Sequence, residues 1–213
     1  MKYLIPALIL CLTQQGTAQS VDQGTFSIRA AGREIGREEF SVATSRQGGA
    51  PGSTVISRVR IPAVTPRFTQ ETVLERRADG SFSAIEVSKP GAGRALAELA
   101  RNKLLIHFMS GGSEAIREWP AAPNMVGLAD SAYAMFAAIA DLATPDGLQL
   151  TGVYPVSGRR VPFTAKKLPG DGTEGTRILL AGEITGTIWM DEAGRLTRME
   201  FPQSGIEIVR LRK

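Results

Sequence analysis

Short runs in which apolar and polar residues alternate, separated by glycine-rich turns, make up most of this chain. A period of two marks strands with one buried face. Phe26 and Ile28 alternate with Thr25, Ser27 and Arg29, and after Ala31-Gly32 the segment 38–44 sets Phe40 and Val42 on one face, which predicts a hairpin. Val55, Val59 and Ile61 share a face interrupted by Ser57, with Ile56, Arg58 and Arg60 opposite. The stretch 45–53 between these runs has no apolar anchor beyond Ala50 and reads as a mobile loop. The meander continues through 68–77, the turn Ala78-Asp79-Gly80 and 82–87, and strands return at 149–154, 159–164, 177–181, 183–190, 196–201 and 206–211.

The middle of the chain differs. Leu104, Ile106 and Phe108 fall on one face of a strand at 103–109 and Leu105, His107 and Met109 on the other, so this strand is expected to be covered on both sides. Beyond Trp119-Pro120, Ala132, Met135, Phe136, Ile139 and Leu142 recur at three- and four-residue spacing. That spacing predicts one helix at about 130–143, with Asp130 or Ser131 as its cap and Pro145-Asp146-Gly147 as its stop. Ala134, Ala137 and Ala138 on its other face are small enough for close packing. Together these patterns predict a mainly β fold: a curved antiparallel sheet or half-open barrel with the helix packed in or across its concave face.

The first residues change the setting. Lys2, an apolar run from Tyr3 to Leu12 and the small residues Gly16-Thr17-Ala18 read as a signal peptide over 1–18, cleaved before Gln19. The run is broken by Pro6 and is too short to span a bilayer, which needs about 20 apolar residues. Leu10 before Cys11 departs from the small residue that a lipidation site requires. Cleavage leaves a single β-rich domain, 19–213, with no cysteine, as suits an oxidising periplasmic or secreted location. It also leaves no transmembrane segment.

Charge adds exclusions. Lysine and arginine number 25 against 21 acids, a formal +4 of which Lys2 leaves with the leader. The basic residues are scattered in pairs such as Arg76-Arg77, Arg159-Arg160 and Lys166-Lys167, so no nucleic-acid partner is expected.

Near the C-terminus, Ile188-Trp189-Met190-Asp191-Glu192-Ala193-Gly194-Arg195-Leu196-Thr197-Arg198-Met199-Glu200, followed by Ser204-Gly205-Ile206-Glu207-Ile208, resembles the closing strands of exported open-barrel proteins similar to the periplasmic lipoprotein carriers and their uncharacterised relatives. Asp191 can bond the turn backbone and Gly194 can take a positive φ. The resemblance implies a half-open antiparallel barrel, plugged by helices, whose apolar interior accepts an acyl chain.

Motifs of catalysis are weak. Gly170-Asp171-Gly172-Thr173-Glu174-Gly175 has the spacing of a dinucleotide loop but leads into a strand instead of opening a helix, so it reads as a flexible turn. Gly111-Gly112-Ser113-Glu114-Ala115 approaches a nucleophile elbow, yet its last position is alanine and the one histidine, His107, precedes it. His107 reads as a core or rim residue. One histidine and a cysteine lost with the leader leave no metal-ligand cluster, so no cofactor is expected.

The chain is therefore expected not to be an enzyme but a periplasmic binding or carrier protein. It would hold an apolar ligand such as a lipid between sheet and helix, at Ile106, Phe108, Met135, Phe136, Ile139 and Trp189. One alternative is a structural or interaction module of the envelope, with a protein partner there and a packed core. Another is a glycoside hydrolase built on distant carboxylates such as Glu86, Glu183 and Asp191, although Trp119, Trp189, Tyr133 and Tyr154 are its only Trp or Tyr platforms. N-terminal sequencing of the exported protein should find Gln19 first; a chain retaining Met1 or acylated at Cys11 would overturn the leader reading.

Overall fold

The computed structural model describes residues 20–47, 50–62, 67–169 and 175–212. The leader, Cys11 and nearly all of the Gly170–Gly175 turn lie outside them.

Among the described residues, fifteen strands join in one sheet. The first eight form a meander: β1 (Ser20–Ala30), β2 (Arg33–Gln47), β3 (Ala50–Ile61), β4 (Phe68–Arg77), β5 (Phe82–Lys89), β6 (Gly93–Ala100), β7 (Lys103–Ser110) and β8 (Ser113–Pro120). A short β9 (Met125–Gly127) precedes a 3-10 turn (Tyr133–Phe136) that runs directly into α1 (Ala137–Leu142). A second meander follows: β10 (Leu148–Tyr154), β11 (Arg159–Leu168), β12 (Thr176–Gly182), β13 (Gly186–Met190), β14 (Leu196–Phe201) and β15 (Ile206–Arg210). β15 pairs antiparallel with β1 and so joins the two meanders at the centre. β8 and β9, nearly consecutive in the chain, become the two edges of the sheet. All pairings are antiparallel except β9 with β10. The fold is the expected half-open barrel, mainly β, with the one helical segment among the described residues inside it.

Alternation decides which face turns inward. Phe26 and Ile28, Val55, Val59 and Ile61, Leu74, Ile85 and Val87, and Leu104 and Ile106 line the concave side and pack into one core with Ala132, Met135, Phe136 and Ile139 of the helical segment. Ala134 and Ala138 are buried as well, so the segment is apolar nearly all round, as a helix enclosed by a sheet must be.

Three expectations are corrected. The stretch 45–53 is no loop: β2 and β3 extend into it, pairing Ser45 with Gly52 and Gln47 with Ala50. Backbone ladders need no apolar side chains, and at Gly52 a Cβ would stand 2.3 Å from the Arg76 carbonyl oxygen, so glycine is what lets β4 run alongside. β7 is not covered on both sides, because its outer residues Leu105, His107 and Met109 are only half-buried and the helix lies on the inner side. The expected helix at about 130–143 is present as one helical run, 3-10 over Tyr133–Phe136 and α over Ala137–Leu142, but neither Asp130 nor Ser131 caps it.

The open sheet closes by overlap. β9 crosses the inner face of β4 and β5, where a Cβ on Gly127 would stand 2.8 Å from Leu74 and 3.0 Å from both Ile85 and Phe82. Gly158, in the β10–β11 turn, sits against Phe108, Arg117 and Trp119 near the other edge. No helix among the described residues is long and apolar enough to cross a membrane. Gly127→Ala should destabilise the protein by about 1–3 kcal/mol, because the added methyl overpacks the seam; urea denaturation measures this, and an unchanged midpoint would mean that β9 does not seat there.

Candidate functional site

Polar residues inside the barrel gather on one wall. Glu38 on β2, Ser57 on β3, and Gln70, Thr72 and Arg76 on β4 all lie on inward positions and are all buried. Each has a task. The 3-10 turn begins with backbone N–H groups that have no partner within it, and its preceding residue, Ala132, supplies no side-chain cap. Glu38 takes that place from across the chain: Tyr133 N and Ala134 N donate to its carboxylate at 2.8 and 3.0 Å, and Ser57 Oγ donates at 2.5 Å. Gln70 Nε2 donates to the Asp130 carbonyl at 2.8 Å and to Thr72 Oγ1 at 3.2 Å. At the far end Arg76 Nη1 donates to Asp141 Oδ2 at 2.6 Å, while its Nε donates to Ser53 Oγ at 3.1 Å. The helical segment is thus a plug bonded to β2–β4 at both ends.

Where the plug begins, a recess of about 410 Å³ opens at one end of the barrel. Tyr133 and Phe136 form the plug side, Tyr154 at the end of β10 and Phe201 at the end of β14 form the sheet side, and Asp130 and Glu183 stand at the rim. Tyr133 and Phe201 have ring centroids 5.9 Å apart, and Phe136 meets Phe201 edge-on at 5.3 Å, within the range of favourable aromatic contact. Burial pushes the Tyr133 hydroxyl up to about 12, reinforced by the nearby acidic groups of Glu38, Tyr154 and Asp130 and opposed by a hydrogen bond from Ser131. Tyr154 is also pushed up to about 12, by burial and then by Asp130, with Arg159 opposing. Both phenols therefore stay neutral and able to donate near neutral pH.

Only Phe136 among the six expected ligand contacts reaches this recess. Ile106, Met135 and Ile139 are fully buried members of the core. Phe108 lies near the β8 edge with the Arg117 guanidinium 5.2 Å from its ring centre. Trp189 alternates out of the barrel on β13, under Arg198 at 5.2 Å, and lines a separate outer hollow with Asp191 and Arg195. Helical spacing pointed to Phe136. Tyr154, Phe201, Asp130 and Glu183 come from strand ends and turns distant in sequence, and no local pattern joins them.

Other candidates fall elsewhere. Glu86 pairs with Arg94 on the outer wall at 2.5 Å, and Glu183 and Asp191 stand at opposite ends of β13, so these three carboxylates do not meet. His107 is half-buried on the outer wall, with Nδ1 2.7 Å from Glu114 and Nε2 3.8 Å from Glu98. Among the described residues no cluster of three or more His, Asp or Glu is placed to hold a metal ion. A larger outer groove of about 810 Å³ is lined by Arg195 and Arg210, which are satisfied by Asp191 and Asp22.

Burial pushes the Glu38 carboxyl up to about 7, against the three hydrogen bonds that favour its ionised form. The unfolded chain ionises near 4.5 while the folded one keeps its proton, so this group's contribution to stability should fall as pH rises from about 4.5 to 7 and then level off. The loss is on the order of 3 kcal/mol. Urea denaturation from pH 5 to 8 should show this decline as the difference between the native protein and Glu38→Gln, which lacks the titration; parallel pH profiles would refute it. Glu38→Ala, which strands two buried N–H groups, should cost about 2–5 kcal/mol.

No family model matches the chain, and no curated protein does. Among solved structures it is similar to a beta-barrel-like protein of domain of unknown function DUF1849 from Brucella abortus, at 14% identity, covering 88% of this chain and 93% of that one with a TM-score of 0.48.

Proposed function

We propose that this is an exported binding protein of the cell envelope that takes a small ligand with apolar faces in the recess between the mouth of the sheet and its plug. The observation that carries the reading is the aromatic cluster of Tyr133, Phe136, Tyr154 and Phe201 around a hollow of about 410 Å³, a size suited to a small molecule. The barrel interior is a poorer place for an acyl chain, because Ile106, Met135 and Ile139 occupy it with no exposed surface. Export rests on the leader-like residues 1–18, and a binding role on a rigid scaffold whose loops and strand ends converge at one mouth. A second reading draws on the same packed core: an interaction module of the envelope that carries no ligand at all.

Fluorescence titration of the mature protein with N-phenyl-1-naphthylamine separates the two. Saturable binding is expected, weakened about tenfold by Phe201→Ala, or roughly 1.4 kcal/mol. Trp189→Ala, on the outer wall, should leave it unchanged. No binding of this probe, with no small molecule retained in native mass spectra, would favour the module.

A further inference from the structure

We infer that the mouth recess recognises an organic cation, an ammonium group held between aromatic faces and the carboxylates of Asp130 and Glu183. The inference rests on the binding role proposed above and adds the class of ligand. Its first support is charge. The chain carries more lysine and arginine than acid, yet the recess is lined by two carboxylates and by no lysine or arginine. The outer hollow at Trp189 and the groove at Arg210 both bring arginine into their walls. Asp130 is exposed at the rim and has no ion pair among the described residues, while Glu183 meets Arg159 only at 3.8 Å, with both side chains more than half exposed. An exposed pair of that kind is weak and readily exchanged.

The second support is independent. Five aromatic rings elsewhere, none of them fully buried, carry one of the protein's own cations: Arg117 over Phe108, Arg160 over Trp119, Arg198 over Trp189, Arg210 over Phe40 and Lys89 over Phe68, all within 5.2–5.7 Å of the ring centre. None of these five cations lies over Tyr133, Phe136, Tyr154 or Phe201. The ring faces attract positive charge, and here the carboxylates that would balance it stand beside them. The phenol hydroxyls of Tyr133 and Tyr154, held neutral, leave the rings uncharged and offer donors to any hydroxyl or phosphate tethered to the ammonium. An apolar molecule would gain nothing from Asp130 and Glu183, and an anion would be repelled by them.

Choline and its neutral carbon isostere 3,3-dimethyl-1-butanol have nearly the same shape and differ in charge, so titrating each into the ¹⁵N-labelled mature protein isolates the claim. Choline should shift the amide signals of Ser131, Thr185 and Ser204 saturably and bind at least about tenfold tighter than the isostere, a difference of 1.4 kcal/mol. The double variant Asp130→Asn, Glu183→Gln, which changes only rim carboxylates, should reduce choline to the level of the isostere without altering the melting temperature by more than a few degrees. Phe201→Ala should weaken both ligands. Dodecyltrimethylammonium below its micellar concentration separates two sources of the same chemistry: tighter binding than choline assigns a lipid-borne headgroup, and equal binding a free solute. Equal affinity for choline and its isostere would overturn the cation inference and leave the binding role standing. Binding of N-phenyl-1-naphthylamine without choline would do the same, whereas failure of all four probes would overturn both.

Discussion

The contact on which this architecture depends is a carboxylate with no exposed surface. Glu38 stands on an inward position of β2 and completes the start of a helical segment that is nearly a hundred residues away in the chain. The segment cannot do without it. A 3-10 turn placed in an apolar barrel would otherwise bury N–H groups with no acceptor, each costing about 1–3 kcal/mol. Burial in turn keeps Glu38 partly protonated, so the anchor trades charge against solvation. Ser57 helps on both sides of that balance, because its hydroxyl can donate to the ionised form and turn to accept from the protonated one.

That anchor has a consequence for where a ligand can sit. Gln70, Glu38 and Arg76 bond the plug at its start, first turn and last turn, so the plug is held against β2–β4 and its apolar side chains fill the space that an open barrel of this kind would otherwise offer. The opposite wall, β10 to β14, approaches the plug mainly through apolar packing. The recess forms where those two walls diverge, between Tyr133 and Phe136 on one side and Tyr154 and Phe201 on the other. Its shape thus follows from the asymmetry of the polar anchors.

Strands with strict alternation were legible from the sequence because each has one buried face, and the segments at 68–77, 82–87 and 196–201 fall on observed strands. β6 was missed because Gly93–Ala100 is rich in alanine, leucine and glutamate, which carry no strand signature, and β8 because almost every residue in it is exposed. β9 has three residues and no pattern at all. As a binding site the recess was legible only on the helix, while Tyr154 and Glu183 were singled out for the hydrolase alternative. Phe136 belongs to a repeat, whereas Glu38 differs in no local way from its neighbour Glu39; one is buried and the other faces solvent solely because of strand parity and the later arrival of the plug. Ile106, Met135 and Ile139, expected to line a pocket, are instead core, since the same spacing that marks a lining also marks packing.

The two ends of the sheet show how a barrel can close without a closing ladder. β8 and β9 are joined by a short connection yet do not pair with each other, and hydrogen bonding between them would have fixed the diameter of an empty cylinder. Tucking β9 under β4 and β5 instead narrows the roll until Gly127 meets Leu74, Ile85 and Phe82. The overlap also needs sealing at the β8 side, where the guanidinium groups of the exposed Arg117 and Arg160 lie over the rings of Phe108 and Trp119. The seam therefore uses cations from the chain itself to cover aromatic rings. At the mouth the corresponding rings have acids beside them and no such cation above them, and that difference makes the mouth the place where the covering group is expected to come from outside.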